Sequence, residues 1–316
     1  MLLEAKNITK KYANHTALNN VSIEVEKGTV FGLLGPNGAG KTSLIRIINQ
    51  ITAPDEGEVL FEGKPLVRLH ANDIGYLPEE RGLYKKMEVG EQALYLAQLK
   101  GLSKEEAKKR LKNWFVKFEM QSWWNKKLED LSKGMQQKIQ FIITILHEPK
   151  LLILDEPFSG FDPINANLIK NEILDLKEKG STIILSTHSM GSVEELCDSI
   201  ALINKSEKIL SGKVKEIRKQ YSKNSYDINF NGNMLAFNNA MWGGFELIKH
   251  TEHGEGNFTA RINLINGNTP NTFLQHLLPH VKIMGISEVI PSMNDIFIEN
   301  VQGISANNQI SASLTE

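Results

Sequence analysis

Residues 29–42 read TVFGLLGPNGAGKT. The first seven, TVFGLLG, form a short apolar run closed by glycine, the pattern of a buried strand. The run GPNGAGKT, residues 35–42, fits GxxxxGK(S/T) through Gly35, Gly40, Lys41 and Thr42. Helix-forming TSLIRIINQI comes next. Strand, glycine-rich turn and helix in that order give the pattern its physical meaning. Small residues let the backbone curl so that several N–H groups point inward at phosphate oxygens. The helix N-terminus adds the positive end of its dipole. Gly35, Pro36, Asn37, Gly38, Ala39, Gly40, Lys41, Thr42 and Ser43 therefore read as a phosphate cradle. Lys41 is suited to reach the β- and γ-phosphates, and the Thr42 hydroxyl to ligate Mg²⁺. The dinucleotide fingerprint GxGxxG is absent here, which takes support from nicotinamide and flavin readings.

Two further apolar runs extend the same fold. LLILDEP, residues 151–157, sets four apolar residues before two acids. As a buried strand it brings Asp155 out at its C-terminal edge, where ligands bind in open α/β sheets. Asp155 is then placed to hold Mg²⁺ directly or through water. Glu156 points elsewhere and suits the role of proton acceptor for an attacking water. STIILSTH, residues 181–188, is another buried-strand candidate, and it puts His188 at the same edge. Strands alternating with helices predict an α/β fold with a largely parallel sheet.

Between these runs, residues 86–147 have a different character. Ser103 is followed three positions later by Glu106, a capping box. Ala107, Leu111, Phe115 and Phe118 then recur at helical spacing. The region reads as a helical insertion. The last hundred residues change composition, with four Lys/Arg against eight Asp/Glu in residues 221–316. There YDINFNG and FTARINL alternate loosely and TFLQHLLPH is helix-like, which predicts a small α+β domain. The polar stretch KEIRKQYSKNS reads as a link between the two. The expected division is 1–218, 219–302 and a frayed end at 303–316.

At 316 residues, the chain has room for roughly two domains. Its 41% apolar and 23% charged residues exclude a wholly disordered chain. One cysteine excludes a disulfide scaffold. A net charge of −1 provides no basic field, so no nucleic-acid partner is expected. Apolar runs such as FIITIL are far shorter than the ~20 residues of a membrane-spanning helix. The N-terminus MLLEAKNITKKY lacks the apolar block of a signal peptide. A cytosolic protein is expected, held at any membrane by a partner.

Taken together, these motifs resemble the ATP-binding subunits of ABC transporters over about residues 2–215. The resemblance implies a P-loop NTPase of ABC type with a helical subdomain, followed by the small C-terminal α+β domain. It implies ATP and Mg²⁺ as cofactors. LSKGMQQ, residues 131–137, stands where the family signature LSGGQ lies. In the family its serine and second glycine, Ser132 and Gly134 in this sequence, meet the γ-phosphate held by the opposite subunit. Lys133 and Met135 depart from the family's glycine and glutamine. SGFD, residues 159–162, resembles the D-loop, with Asp162 as its acidic end. His188 resembles the switch histidine that contacts the γ-phosphate, and Tyr12 the aromatic that stacks on adenine. In IGYLPEERG, Glu79 stands where the family has glutamine. A carboxylate there can still bind Mg²⁺ or its water, but it adds negative charge near the phosphates.

YLPEERGLY together with LSKGMQQK resembles one branch of exporters, with ABC-2 type membrane partners, that includes sodium-efflux systems. The tail's SMNDIFIENV resembles the end of that branch's extra domain. The implied partners are an ABC-2 type permease subunit and a second nucleotide-binding subunit, with a homodimer expected. The implied place is the cytoplasmic face of the membrane, peripheral through the permease. Each ATP would sit between the loop of one subunit and the signature of the other. Two alternatives stay open on the residues alone: a soluble ABC-type ATPase of translation or DNA maintenance, and an ATP-gated interaction module that does not hydrolyse.

Overall fold

A computed structural model describes residues 1–80, 82–241, 244–265 and 267–302. The expected frayed end at 303–316 lies outside the described residues. The chain forms two compact units, one built on Met1–Val214 and the other on Lys215–Glu299.

The first unit opens with β1 (Leu3–Tyr12), β2 (His15–Val25), β3 (Val30–Leu34), α1 (Lys41–Ile48), β4 (Glu56–Phe61), β5 (Lys64–Pro65) and β6 (Ile74–Leu77). Helices α2 (Val89–Leu99), α3 (Lys104–Lys117) and α4 (Lys133–Ile145) follow. It closes with β7 (Leu151–Asp155), α5 (Pro163–Glu178), β8 (Thr182–Ser186), α6 (Met190–Leu196), β9 (Ser199–Asn204) and β10 (Glu207–Lys213). Six strands lie in the order β10-β9-β3-β8-β7-β6. The five from β9 to β6 run parallel, and β10 joins antiparallel at one edge. Every residue of β3, β7 and β8 is buried. Continuous burial, not alternation, is what a parallel strand covered on both faces requires. These three strands are the three apolar runs of the sequence. A second, antiparallel sheet has the order β2-β1-β4-β5. Its Ala5, Ile8, Leu18, Val21 and Ile23 share one core with Leu44, Ile45 and Ile48 of α1.

The segment between β6 and β7 holds α2, α3 and α4. Ser103 caps α3 by accepting from Glu106 N at 3.2 Å, and Ala107, Leu111, Phe115 and Phe118 are all buried. The Phe115 ring meets Trp124 edge-on at 5.5 Å. The only cysteine of the sequence, Cys197, is buried, and burial pushes its thiol up to about 12, so it is an inert core residue.

The second unit contains α7 (Val214–Gln220) from its second residue on, β11 (Ser225–Asn231), α8 (Met234–Ala240), β12 (Phe245–Glu252), β13 (Asn257–Leu264), α9 (Pro270–Leu277), β14 (Lys282–Glu288) and the start of α10 (Met293–Gln302). Its strands form one antiparallel sheet, β12-β13-β11-β14. The alternating runs of the sequence are β11 and β13. Their inward residues Ile228, Phe230, Ala260 and Ile262 join Phe237 and Phe273 in a core. Phe230 and Phe237 stack at 4.4 Å. On the outward side Arg261 grips Asp227 with two bonds of 2.8 Å. The stretch expected to be a polar link is helical as far as Gln220. Val214 and Ile217, three apart, bury one side of that turn, and its charged neighbours hide the periodicity.

Candidate functional site

The phosphate loop leaves the C-terminal end of β3, near the middle of the parallel sheet. Gly40 precedes α1 with φ +116°, and a Cβ there would stand 2.3 Å from the Ala17 carbonyl oxygen. Gly35 has φ +150°, and its Cβ would stand 2.2 Å from the Ile203 oxygen. Only glycine fits both positions, because the loop curls tightly against β2 and β9. Lys41 Nζ donates to the Gly35 oxygen at 2.7 Å and the Pro36 oxygen at 3.1 Å, tying the curl together. Thr42 lies exposed in the first turn of α1, and Ser43 is half-buried. Ser206 braces the loop from outside. Its N–H donates to the Ala39 oxygen at 3.2 Å and its hydroxyl to the Thr16 oxygen at 2.5 Å. The β1–β2 hairpin is thereby tied to the loop. Tyr12, 42% exposed, pairs with His15 at the hairpin's turn.

The carboxylates come from the neighbouring strand ends. Asp155 is 5% exposed at the end of β7. Burial pushes its carboxyl up, the charges of Glu79 and Glu156 push the same way, and Ser186 and Lys41 oppose them. Burial also pulls the Lys41 ammonium down, against the fields of Glu156, Asp155 and Glu79. The same four side chains thus feel one another across the sheet edge. Glu156 has φ +48°, outside the range ordinary for a glutamate. Its N–H donates to the Ser186 oxygen at 2.9 Å. Its Oε1 accepts from the His188 N–H at 3.0 Å and meets His188 Nδ1 at 2.7 Å. Expected as a γ-phosphate contact, His188 here holds Glu156 and keeps its side chain 73% exposed.

The structure brings Lys41, Asp155, Glu156, His188 and Glu79 to one edge, because β3, β8, β7 and β6 are consecutive in the sheet. Glu79, Lys133, Gln137, Asp155, Glu156 and Ser159 line a common cleft of about 210 Å³. Ser132 caps α4 by accepting from Met135 N at 3.3 Å. The Gly134 α-carbon faces the Phe161 ring, which a Cβ would meet at 3.7 Å. Asp162 caps α5, accepting from Ile164 N and Asn165 N at 3.0 Å each. Those amides hold its carboxyl below the usual range, the Asn165 contact most strongly. Two contributors carry no signature in the sequence. Thr187 Oγ1 lies 3.4 Å from Glu156 Oε2 and accepts from Ser189 N at 3.1 Å. Ser206 is the other. The only hint of Thr187 is a hydroxyl directly after a buried apolar run.

A curled glycine loop at a helix N-terminus, closed by a buried lysine, is suited to a polyphosphate. The Thr42 hydroxyl and the Asp155 carboxylate are oxygen donors of the kind Mg²⁺ takes when phosphates and water complete its shell. Fold and site together define a P-loop nucleotide-binding protein.

Residues 18–159 match the family described as "ABC transporter", and residues 212–301 match "ATP-binding protein DrrA1-3-like, C-terminal domain". The chain is 39% identical over 303 residues to the uncharacterized ABC transporter ATP-binding protein YhaQ of Bacillus subtilis, covering 96% of this chain and 99% of that one. It is 36% identical to the linearmycin resistance ATP-binding protein LnrL of the same organism, over 67% of this chain and 69% of that one. A solved structure titled as the ATP binding subunit of an ABC transporter superposes with a TM-score of 0.66 at 31% identity, over 70% of this chain and 93% of that one. The chain belongs to the ATP-binding subunits of ABC transporters. Among the described residues no helix is long and apolar enough to cross a membrane.

Proposed function

We propose that this subunit hydrolyses ATP within a dimer of nucleotide-binding subunits, and that closing and reopening of the dimer drive export through an ABC-2 type permease. The observation that carries hydrolysis is the Glu156–His188 pair beside Lys41 and Asp155. The loop amides and the Lys41 ammonium hold the phosphates. Thr42 and Asp155 would hold Mg²⁺, which offsets phosphate charge when bound. His188 fixes Glu156 Oε1 from both its backbone and its ring, so the proton goes to Oε2, where the Thr187 hydroxyl donates over a longer 3.4 Å. As the water oxygen bonds to the γ-phosphorus, Glu156 takes the water's proton and the bond to the ADP oxygen breaks. The products are ADP and phosphate. Ser132 and Gly134 of α4, with Asp162, would serve the nucleotide of the opposite subunit, and Tyr12 the adenine. Glu79 would contact the metal or its water.

Export is supported by the resistance protein LnrL among the relatives and by the DrrA-like match at the C-terminus. The resistance protein LnrL favours a small-molecule drug as substrate, and the resemblance of YLPEERGLY and LSKGMQQK to the branch with sodium-efflux systems favours sodium; the cytoplasmic face of the membrane is the expected place of work. In Glu156→Gln, ATP binding is expected to persist and the dimer to accumulate on size exclusion. Turnover is expected to fall by roughly 10²–10⁴. Near-normal turnover in that variant would remove Glu156 from the base role.

A further inference from the structure

Two of the residues that depart from the family pattern meet in one place. Lys133, in the first turn of α4, and Glu79, in the loop after β6, line the same 210 Å³ cleft. Neither side chain makes a hydrogen bond or ion pair among the described residues. The remaining charged lining is Asp155 and Glu156, so Lys133 is the sole cation facing three carboxylates in that lining. Glu79 also acts electrostatically on both Lys41 and Asp155. A third carboxylate at a site that receives a polyphosphate raises the cost of bringing in the ligand's charge. An ammonium in the same lining lowers that cost.

We propose that Lys133 and Glu79 are a compensating pair, in which Lys133 offsets Glu79 within its own chain and so sets the charge that ATP meets on entry. Lys133 is then a positioning residue acting through Glu79. It does not itself bind the nucleotide. Ser132 and Gly134, its neighbours, keep their separate part toward the opposite subunit. The inference rests on the reading above that Asp155 and Glu156, which line this cleft, serve the ATP held by the glycine loop. It extends that reading by explaining why a lysine stands in the signature and a glutamate in the loop of one sequence.

The test is a double-mutant cycle in the full chain, with Lys133→Met, Glu79→Gln and the two combined. Calorimetry measures the Kd for ATP, with EDTA present and then with excess Mg²⁺. In an otherwise unchanged chain, Lys133→Met is expected to raise the metal-free Kd by roughly fivefold at low salt. Glu79→Gln is expected to lower it. In the Glu79→Gln background, loss of Lys133 is expected to change Kd less than twofold. The coupling is expected to shrink as salt approaches 1 M, where screening reaches about 3 Å. An equal effect of Lys133→Met in both backgrounds would overturn the pairing, and would make Lys133 a direct phosphate contact. No effect in either background would overturn it as well. Lys41→Ala runs alongside as the control for the underlying reading. If the unaltered chain binds no ATP, that reading fails and the pairing fails with it. If it binds and the cycle shows no coupling, the pairing alone fails.

Discussion

Asp155 sits where an ionised carboxylate is costly. Burial and the fields of Glu79 and Glu156 raise its pKa in the folded chain above the unfolded value. The fold therefore favours the neutral form, and that contribution to stability is complete below the unfolded pKa and is lost as pH rises through the folded one. At neutral pH the ionised group is a net burden on the ligand-free fold. Asp155→Asn is accordingly expected to raise Tm by roughly 2–4 °C at pH 7 while abolishing Mg²⁺-dependent turnover. A differential scan across pH checks it, since the gain should vanish in acid. An unchanged or lower Tm at pH 7 contradicts the electrostatic reading of the site. Gly40 offers a steric counterpart. Its φ of +116° and its 2.3 Å approach to Ala17 leave no room for alanine, so Gly40→Ala should uncurl the loop and weaken ATP binding at least tenfold. The placement of Lys41 and Asp155 at one sheet edge was legible in the sequence because a spaced pattern and an apolar run point at them. Thr187 and Ser206 were not, since one hydroxyl without a spacing rule carries no signal until strands from distant parts of the chain are brought together.

At the scale of elements, three apolar runs gave three buried parallel strands, and Ser103 caps α3 as its pattern predicts, while the Glu106 carboxylate turns to Arg110 at 2.7 Å and leaves the capping box half-formed. The antiparallel sheet of β1, β2 and β4 escaped the sequence reading. Its pairing is distant, as with Leu3 against Phe61, and bulges interrupt the alternation of β1. The contact between α3 and α5 is of the same distant kind. Lys117 of α3 pairs with Glu172, which is 2% exposed on α5, and reaches Asp175 at 3.2 Å. Removing the cation strands a buried carboxylate. Lys117→Met should cost about 2 kcal/mol, less than a fully buried pair because Lys117 is nearly half exposed. Urea unfolding of Lys117→Met, Glu172→Gln and the double variant measures it. The double variant should recover part of the loss, and strict additivity would show that the two residues do not act together.

At the scale of the molecule, each of the two units has a hydrophobic core of its own, and the phosphate loop, the carboxylates and the signature helix all lie in the first. The composition change near residue 220 foretold a second unit, but its four-stranded order could not be read from loosely alternating, asparagine-rich runs. Phe237 is wholly buried and stacks on Phe230. Phe237→Ala should cost roughly 3–5 kcal/mol in that unit and leave ATP affinity within twofold of normal. A matching loss of ATP affinity would mean that the second core supports the site. The central claim is that the glycine loop with Lys41 grips the phosphates of ATP. Calorimetric titration of the full chain with ATP and Mg²⁺ tests it most directly. Saturable binding, largely lost in Lys41→Ala, is the predicted result. No heat of binding from the unaltered chain, or equal affinity in Lys41→Ala, would contradict it.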